Sequence, residues 1–344
     1  MRFKTLGLLA LTTLTLTGCN ERSVAYGDAN SIIAVMSPEM WAQVSEDVYG
    51  ELEQTIQTVR DEKTFTVTYQ DPGAMEWLNL RKFRQMLLVG TDADPWIAEA
   101  LAVSRDPVTE PGMSQVYDVW SRGQNVTVIL LSEPGATDEL RGHLPEIREM
   151  LDEQFRQYAR SRMYMTGADT ALADTLMAEA RFSVMVPEVY KWARNDSVYI
   201  FRNDQPDPSE LIRQVAVTWM SPIPPDMQPE GILEWRARVV EGYYSQPQAV
   251  DLENVAARPF MFRGGDAYEI QAIWTNPPER PWPAGGPFIT RAVICPTQNR
   301  MYLIDSWLFA PAKEKYEYMI QLETVMDSFR CGIAYTPTVR HRST

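Results

Sequence analysis

Phe288-Ile289-Thr290-Arg291-Ala292-Val293-Ile294-Cys295, the break Pro296-Thr297-Gln298-Asn299-Arg300, and Met301-Tyr302-Leu303-Ile304-Asp305-Ser306-Trp307-Leu308-Phe309 decide how the second half of this chain folds. Both runs are rich in β-branched and aromatic residues, and the break carries proline and asparagine, so the stretch reads as an antiparallel hairpin. With Thr297-Gln298-Asn299 as its loop, Arg291 lies opposite Asp305. Along the second strand Met301, Leu303, Asp305, Trp307 and Phe309 share one face, so Asp305 sits among apolar neighbours. An ionised carboxylate there needs a partner, and Arg291 is the nearest that this register offers. The favoured reading is a structural ion pair that fixes the hairpin. The competing one is a polar spot in a binding cleft.

The pattern continues outward from the hairpin. A helix is expected from Pro311 to Arg330, with Tyr316, Met319, Ile320, Glu323, Met326 and Phe329 on its inner stripe and Gly332 as its stop. Upstream, strands are expected at Phe182–Val186, Ser197–Arg202, Val215–Met220, Pro259–Arg263 and Tyr268–Trp274, with a helix about Pro229–Tyr244. Many short strands with two long helices define an antiparallel α+β domain over 182–332, its sheet packed by helices. Residues 166–181 read as a linker helix, and 333–344 as a flexible tail.

The first half has a different rhythm. Ile32–Met36, Phe65–Tyr69, Gln85–Val89 and Val126–Leu131 read as strands that alternate with helices. Ser37-Pro38-Glu39 supplies an N-cap, a proline at the first helical position and an acid in the first turn. Trp41, Val44, Val48, Leu52, Ile56 and Val59 follow on one helical face. A long helix starts near Thr137, and Pro145 is expected to kink or restart it. Residues 31–165 therefore read as an α/β domain whose sheet is at least partly parallel. The turn Val89-Gly90-Thr91-Asp92 lacks the glycine spacing and the lysine that cradle phosphates, so it is only a turn.

The N-terminus carries an address. Arg2 and Lys4 precede an apolar run from Leu6 to Leu16, followed by Thr17-Gly18-Cys19. This arrangement resembles a bacterial lipoprotein signal with its lipobox, which implies cleavage of residues 1–18 and lipidation of Cys19. Residues 19–30 then read as a tether. The apolar run is shorter than the ~20 residues that span a bilayer. Loss of the leader moves the formal charge from −14 to −16. A chain that acidic repels phosphate backbones and anionic lipid heads, which argues against a nucleic-acid partner and leaves the lipid as the membrane grip. Asn20 follows the cysteine where aspartate acts as an inner-membrane retention signal in some bacteria, and this favours the outer membrane.

Candidate chemistry is sparse. With only His143 and His341, a histidine-based zinc site or a Ser-His-Asp triad has almost no material, so no metal, cofactor or catalytic residue is assigned. If Cys19 is lipidated, Cys295 and Cys331 are left as an even pair; they form a disulfide tying the last helix to the sheet, or stand as two buried thiols. The acidic pairs Glu51/Glu53 and Asp152/Glu153 fall on solvated helix faces. The loop from Asn276 to Gly286 holds four prolines, Trp282, and the glycines Gly285 and Gly286. It is a preordered binding loop or a rigid connection whose tryptophan covers the core edge.

Val186-Pro187-Glu188-Val189-Tyr190, Gly285-Gly286-Pro287-Phe288, Asp305-Ser306-Trp307-Leu308-Phe309-Ala310-Pro311 and Tyr318-Met319-Ile320-Gln321-Leu322-Glu323 lie in that order. Together they resemble the bacterial lipoproteins of domain of unknown function 4837, over about 31–330. The second half is also loosely similar to the PsbP/Mog1-like sandwich, through its Val-Pro-x-x-Tyr opening, late hairpin and closing helix. The resemblance implies no activity or catalytic residue. The expectation is a membrane-anchored lipoprotein of the cell envelope, a non-catalytic binding or assembly component with an envelope protein as partner. The alternative is an envelope hydrolase that uses acidic residues the sequence does not identify.

Overall fold

The computed structural model describes residues 22–204, 210–280 and 282–332. In chain order they form β1 (Ser31–Val35), α1 (Pro38–Leu52), β2 (Thr55–Ile56), β3 (Glu62–Lys63), β4 (Thr66–Gln70), α2 (Trp77–Leu80), β5 (Gln85–Gly90), α3 (Pro95–Leu101), β6 (Gly112–Tyr117), β7 (Asn125–Leu130), α4 (Thr137–Met163) and α5 (Thr170–Ala180). There follow β8 (Phe182–Ser183), β9 (Lys191–Asn195), β10 (Val198–Asn203), β11 (Ile212–Met220), α6 (Pro229–Tyr243), β12 (Ala249–Val250), β13 (Ala256–Phe262), β14 (Gly265–Thr275), β15 (Gly285–Cys295), β16 (Arg300–Phe309), α7 (Tyr316–Asp327) and β17 (Arg330–Cys331). The described chain divides into two compact units. One holds residues up to 28 with 32–40 and 68–136; the other holds 29–31, 41–67 and everything from 137 onward.

The first unit is built on a five-stranded sheet in the order β4-β1-β5-β7-β6. β1 and β7 run parallel to β5, and β6 closes the edge antiparallel to β7. Ile33, Val35, Met86, Leu88, Val126 and Val128 give it a continuous apolar core with Ile97 and Ala100 of α3. Residues expected as tether are in part docked here. Ala25 N donates to Arg122 O at 2.9 Å, Arg84 N to Tyr26 O at 2.8 Å, and the Tyr26 and Phe83 rings meet edge to face. Burial of Ala25 and this ring pair outweigh the freedom of a polar tether.

The second unit carries an eight-stranded antiparallel sheet, β12-β14-β15-β16-β11-β10-β9, with β13 also paired to β14. Alternation along β15 and β16 splits its side chains between two cores. Ile289, Val293, Tyr302, Ile304 and Leu308 pack with Leu322, Val325 and Met326 of α7. Phe288, Ala292, Leu303 and Trp307 pack with Ile232, Trp235 and Val239 of α6. The sheet is thus covered by a helix on each face. Helix α4 belongs to this unit as well, because Phe155 stacks on Tyr316 at 5.3 Å and Arg156 bonds Glu323 at 2.8 Å. The compact body therefore reaches across the boundary expected at 166–181.

The helix start read at Ser37 acts as expected, and α5 shows a second cap of the same kind. Met40 N donates to Ser37 Oγ at 3.2 Å, and Leu172 N to Asp169 Oδ1 at 2.9 Å, each satisfying an orphan amide of a first turn. Two expectations change. Helix α4 runs unbroken through Pro145, whose neighbours Leu144 and Ile147 stay buried on the inward stripe. Helix α1 ends at Leu52 rather than Val59, where Gln54 Nε2 takes up Gly50 O at 2.6 Å.

Candidate functional site

The hairpin corrects the sequence reading in one respect that changes the site. Cys295 pairs with Arg300 across a four-residue connection, with Asn299 left-handed at φ 50°. The register therefore shifts by one, and a one-residue slip sends a side chain to the other face. Asp305 faces Thr290, Arg291 faces Ile304, and the expected Arg291–Asp305 pair does not exist. Asp305, fully buried beneath α6, receives Arg236 Nε at 2.8 Å, Tyr244 Oη at 2.6 Å and the Thr290 hydroxyl. The Arg236 guanidinium lies 3.7 Å from the Phe288 ring centre and donates onward to Gln248. Burial first, and then the neighbouring Asp305 charge, push the Tyr244 phenol well above its ordinary value, so it stays a donor. Asp305, Arg236 and Thr290 are sealed from solvent while Tyr244 and Gln248 are half-buried, and the node holds α6 to the sheet.

Arg291 serves the opposite face. Its Nε bonds Glu269 Oε2 at 2.7 Å and its Nη1 bonds Asp327 Oδ1 at 2.6 Å, which joins β14, β15 and the end of α7. Arg258 bonds the other Glu269 oxygen at 2.6 Å. Burial alone would push the Glu269 carboxyl up, but Arg291 and Arg258 outweigh it and hold it below the usual range. A polar hollow of about 530 Å³ opens here, lined also by Arg156 and Glu323, and those charges are paired with one another. At the hairpin base, the sulfurs of Cys295 and Cys331 are bonded with Cα atoms 6.3 Å apart, while Cys331 pairs with Phe182. The bond closes a span of 36 residues around the hairpin and α7.

A cleft of about 780 Å³ lies beside the proline-rich loop. One wall is the end of β14 (Thr275, Asn276) with Pro283, Ala284 and Gly285; a second is Phe309 with the segment 311–315; the third is 59–62. The loop is pinned by Asn276 N to Ala284 O and Asn276 Nδ2 to Trp282 O, both 2.8 Å, and by Arg280 N to Pro277 O at 3.0 Å. Asn276 Oδ1 is buried in this wall with no hydrogen-bond partner among the described residues. Opposite, Lys315 holds Glu62 through its amide at 2.6 Å and through its ammonium. Arg60 and Lys313 stay exposed at the rim.

The loop residues singled out in the sequence separate into two roles. Trp282 is 76% exposed, so it does not cover the core edge. Gly285 and Gly286 are not loop residues; they open β15, paired to Thr275 and Trp274. A Cβ at Gly286 would sit 1.8 Å from Leu308 O, the same carbonyl that accepts from Trp274 Nε1 at 3.2 Å. A Cβ at Gly285 would sit 2.8 Å from Trp274 O. These glycines are required by close backbone approach, and Gly285 lines the cleft. Sequence reasoning missed Asn276 as a cleft group and missed 59–62 and 311–315 altogether, since those segments meet the loop only in space. Cys19 lies outside the described residues. Among the described residues no group of His, Cys, Asp and Glu converges as a metal site, and no helix is long and apolar enough to cross a membrane.

The described chain is thus of a mixed class: an α/β unit with a partly parallel sheet, and an antiparallel α+β sandwich that carries the cleft. Residues 169–328 match the family model described as Domain of unknown function (DUF4837), and residues 25–164 match Domain of unknown function (DUF8532). Among curated proteins no sequence matches this one. The chain is similar in structure to PsbP (CyanoP) from Synechocystis sp. PCC 6803, at 13% identity over 44% of this chain and 87% of that one, with a TM-score of 0.30. It is similar to the Ran-binding protein Mog1p of Saccharomyces cerevisiae at 9% identity, over 44% of this chain and 90% of that one, with a TM-score of 0.31. It is likewise similar to LpqN, described as involved in cell envelope biogenesis of Mycobacterium tuberculosis, at 10% identity, 43% and 81% coverage and a TM-score of 0.28.

Proposed function

We propose that this protein is a lipid-anchored component of a bacterial cell envelope, held at the outer membrane through Cys19, that works by binding an envelope protein at the cleft beside Trp282. The observation that carries the binding reading is the exposed indole on a loop tied by three hydrogen bonds, next to a cleft of mixed apolar and polar walls whose exposed rim charges are Arg60, Lys313 and Glu314. An ordered aromatic anchor loses little entropy on association, so its contact area converts to affinity. With Lys315 paired to Glu62, the exposed Arg60 and Lys313 outnumber the exposed Glu314, which favours a partner segment that carries a carboxylate beside an apolar residue. The bonded Cys295–Cys331 pair supports an oxidising compartment. Because residues 23–26 dock onto the first unit, only three residues lie between Cys19 and Ser23, at most about 14 Å of chain.

A benzophenone side chain in place of Trp282, in the full lipidated protein in its native cell, tests the contact. Illumination is expected to yield a discrete adduct with an envelope protein, and the same group in place of the exposed Met75 is expected to give none. Identical patterns from both positions would exclude the cleft as the contact site.

A further inference from the structure

The segment Val186-Pro187-Glu188-Val189-Tyr190 carries a group that nothing described so far uses. Tyr190 is 5% exposed, and its ring lies in the core with Leu211 and Phe182. Its place is set by Tyr190 N to Pro187 O at 3.0 Å and Glu188 N to Gly167 O at 3.1 Å. Yet its hydroxyl has no hydrogen-bond partner among the described residues. Burial pushes the phenol up to about 12, so at neutral pH the group is a protonated donor. A buried donor without an acceptor is costly to keep, and such a group in a native fold calls for an explanation.

The surroundings of that hydroxyl point to a ligand. Tyr190 lines a hollow of about 310 Å³, apart from the Trp282 loop. Arg213 lines it too; its Nη1 donates to Gln321 Oε1 at 2.7 Å and its guanidinium lies 5.6 Å from the Tyr318 ring centre, which fixes the plane of the group. Arg162, Lys313 and Glu317 line it as well, and Arg162 Nε stands 3.5 Å from the Glu317 carboxylate. Met163, Val189 and Leu211 supply apolar wall. A planar guanidinium and one hydroxyl donor match the two oxygens of a carboxylate, whereas a phosphate dianion calls for a larger set of N–H donors. The volume leaves room for a compact apolar body behind the carboxylate.

We propose that this hollow is a binding site for a small organic carboxylate, which accepts a hydrogen bond from Tyr190 Oη and faces the Arg213 guanidinium. The site is separate from the proposed partner cleft, although Lys313 lines both. Calorimetric titration of the full-length protein with benzoate, phenyl phosphate and benzylamine tests it. Benzoate is expected to bind one to one, phenyl phosphate more weakly, and benzylamine not at all. Tyr190→Phe is expected to weaken benzoate about tenfold. The same variant, without ligand, should melt at the wild-type temperature or slightly above, because it removes only an unmatched hydroxyl. Absence of benzoate binding, benzoate affinity unchanged in Tyr190→Phe, or tighter binding of phenyl phosphate would each overturn the proposal. So would a large drop in the Tyr190→Phe melting temperature, since that would make the hydroxyl structural. The cross-link from position 282 is expected to survive Tyr190→Phe, which keeps the two sites distinguishable.

Discussion

Asp305 shows how a single residue is read correctly and then given the wrong partner. Alternation along 301–309 places it on an apolar face, and it is fully buried there. Its true cation, Arg236, is 69 residues away on α6, a separation that no local pattern bridges. Both members of that pair are within 1% of complete burial, so each depends on the other for solvation. Asp305→Leu and Arg236→Leu are each expected to cost about 3–5 kcal/mol in urea unfolding, because each strands a buried charge. The double variant should cost markedly less than the two singles added together. Simple additivity would show that the pair is not the unit of stability.

The elements were legible to different degrees, for physical reasons. Strands β15 and β16 stand out because β-branched and aromatic residues run through both of them. Their register does not, since it depends on whether the connection holds three residues or four, and that parity decides which face Arg291 occupies. Strand β6, Gly112–Tyr117, went unread because only Val116 in it is buried, so no hydrophobic period marks it. With the register corrected, Arg291 and Arg258 clamp Glu269, whose carboxyl sits below its ordinary value in the folded state. A depressed folded value means the stabilisation is full above the unfolded carboxylate's range and is lost as pH falls through the lower folded value. The wild-type unfolding midpoint should therefore decline as the pH drops below about 4.5. Glu269→Gln should be less stable at neutral pH and show a smaller share of that decline. Parallel pH profiles would remove Glu269 from the acid sensitivity.

At the scale of the whole molecule, sequence and structure contribute different things. The two architectures, a partly parallel sheet followed by an antiparallel one, follow from the change in strand and helix rhythm near residue 180. The allocation of α4 to the later unit does not, because it rests on Phe155 against Tyr316 and on Arg156 against Glu323, contacts between segments more than a hundred residues apart. The cleft has the same origin: three segments distant in sequence meet around Asn276. A formal charge of −14, or −16 without residues 1–18, disfavours adhesion to anionic lipid, so the membrane hold of the proposed envelope component falls to its acyl chains. The most direct measurement is fractionation of cells that express the wild-type chain or Cys19→Ser. Lipidation at Cys19 predicts wild-type protein in the membrane fraction and a folded, soluble Cys19→Ser protein with an unchanged unfolding midpoint. Cys19→Ser protein that stays in the membrane fraction would contradict it.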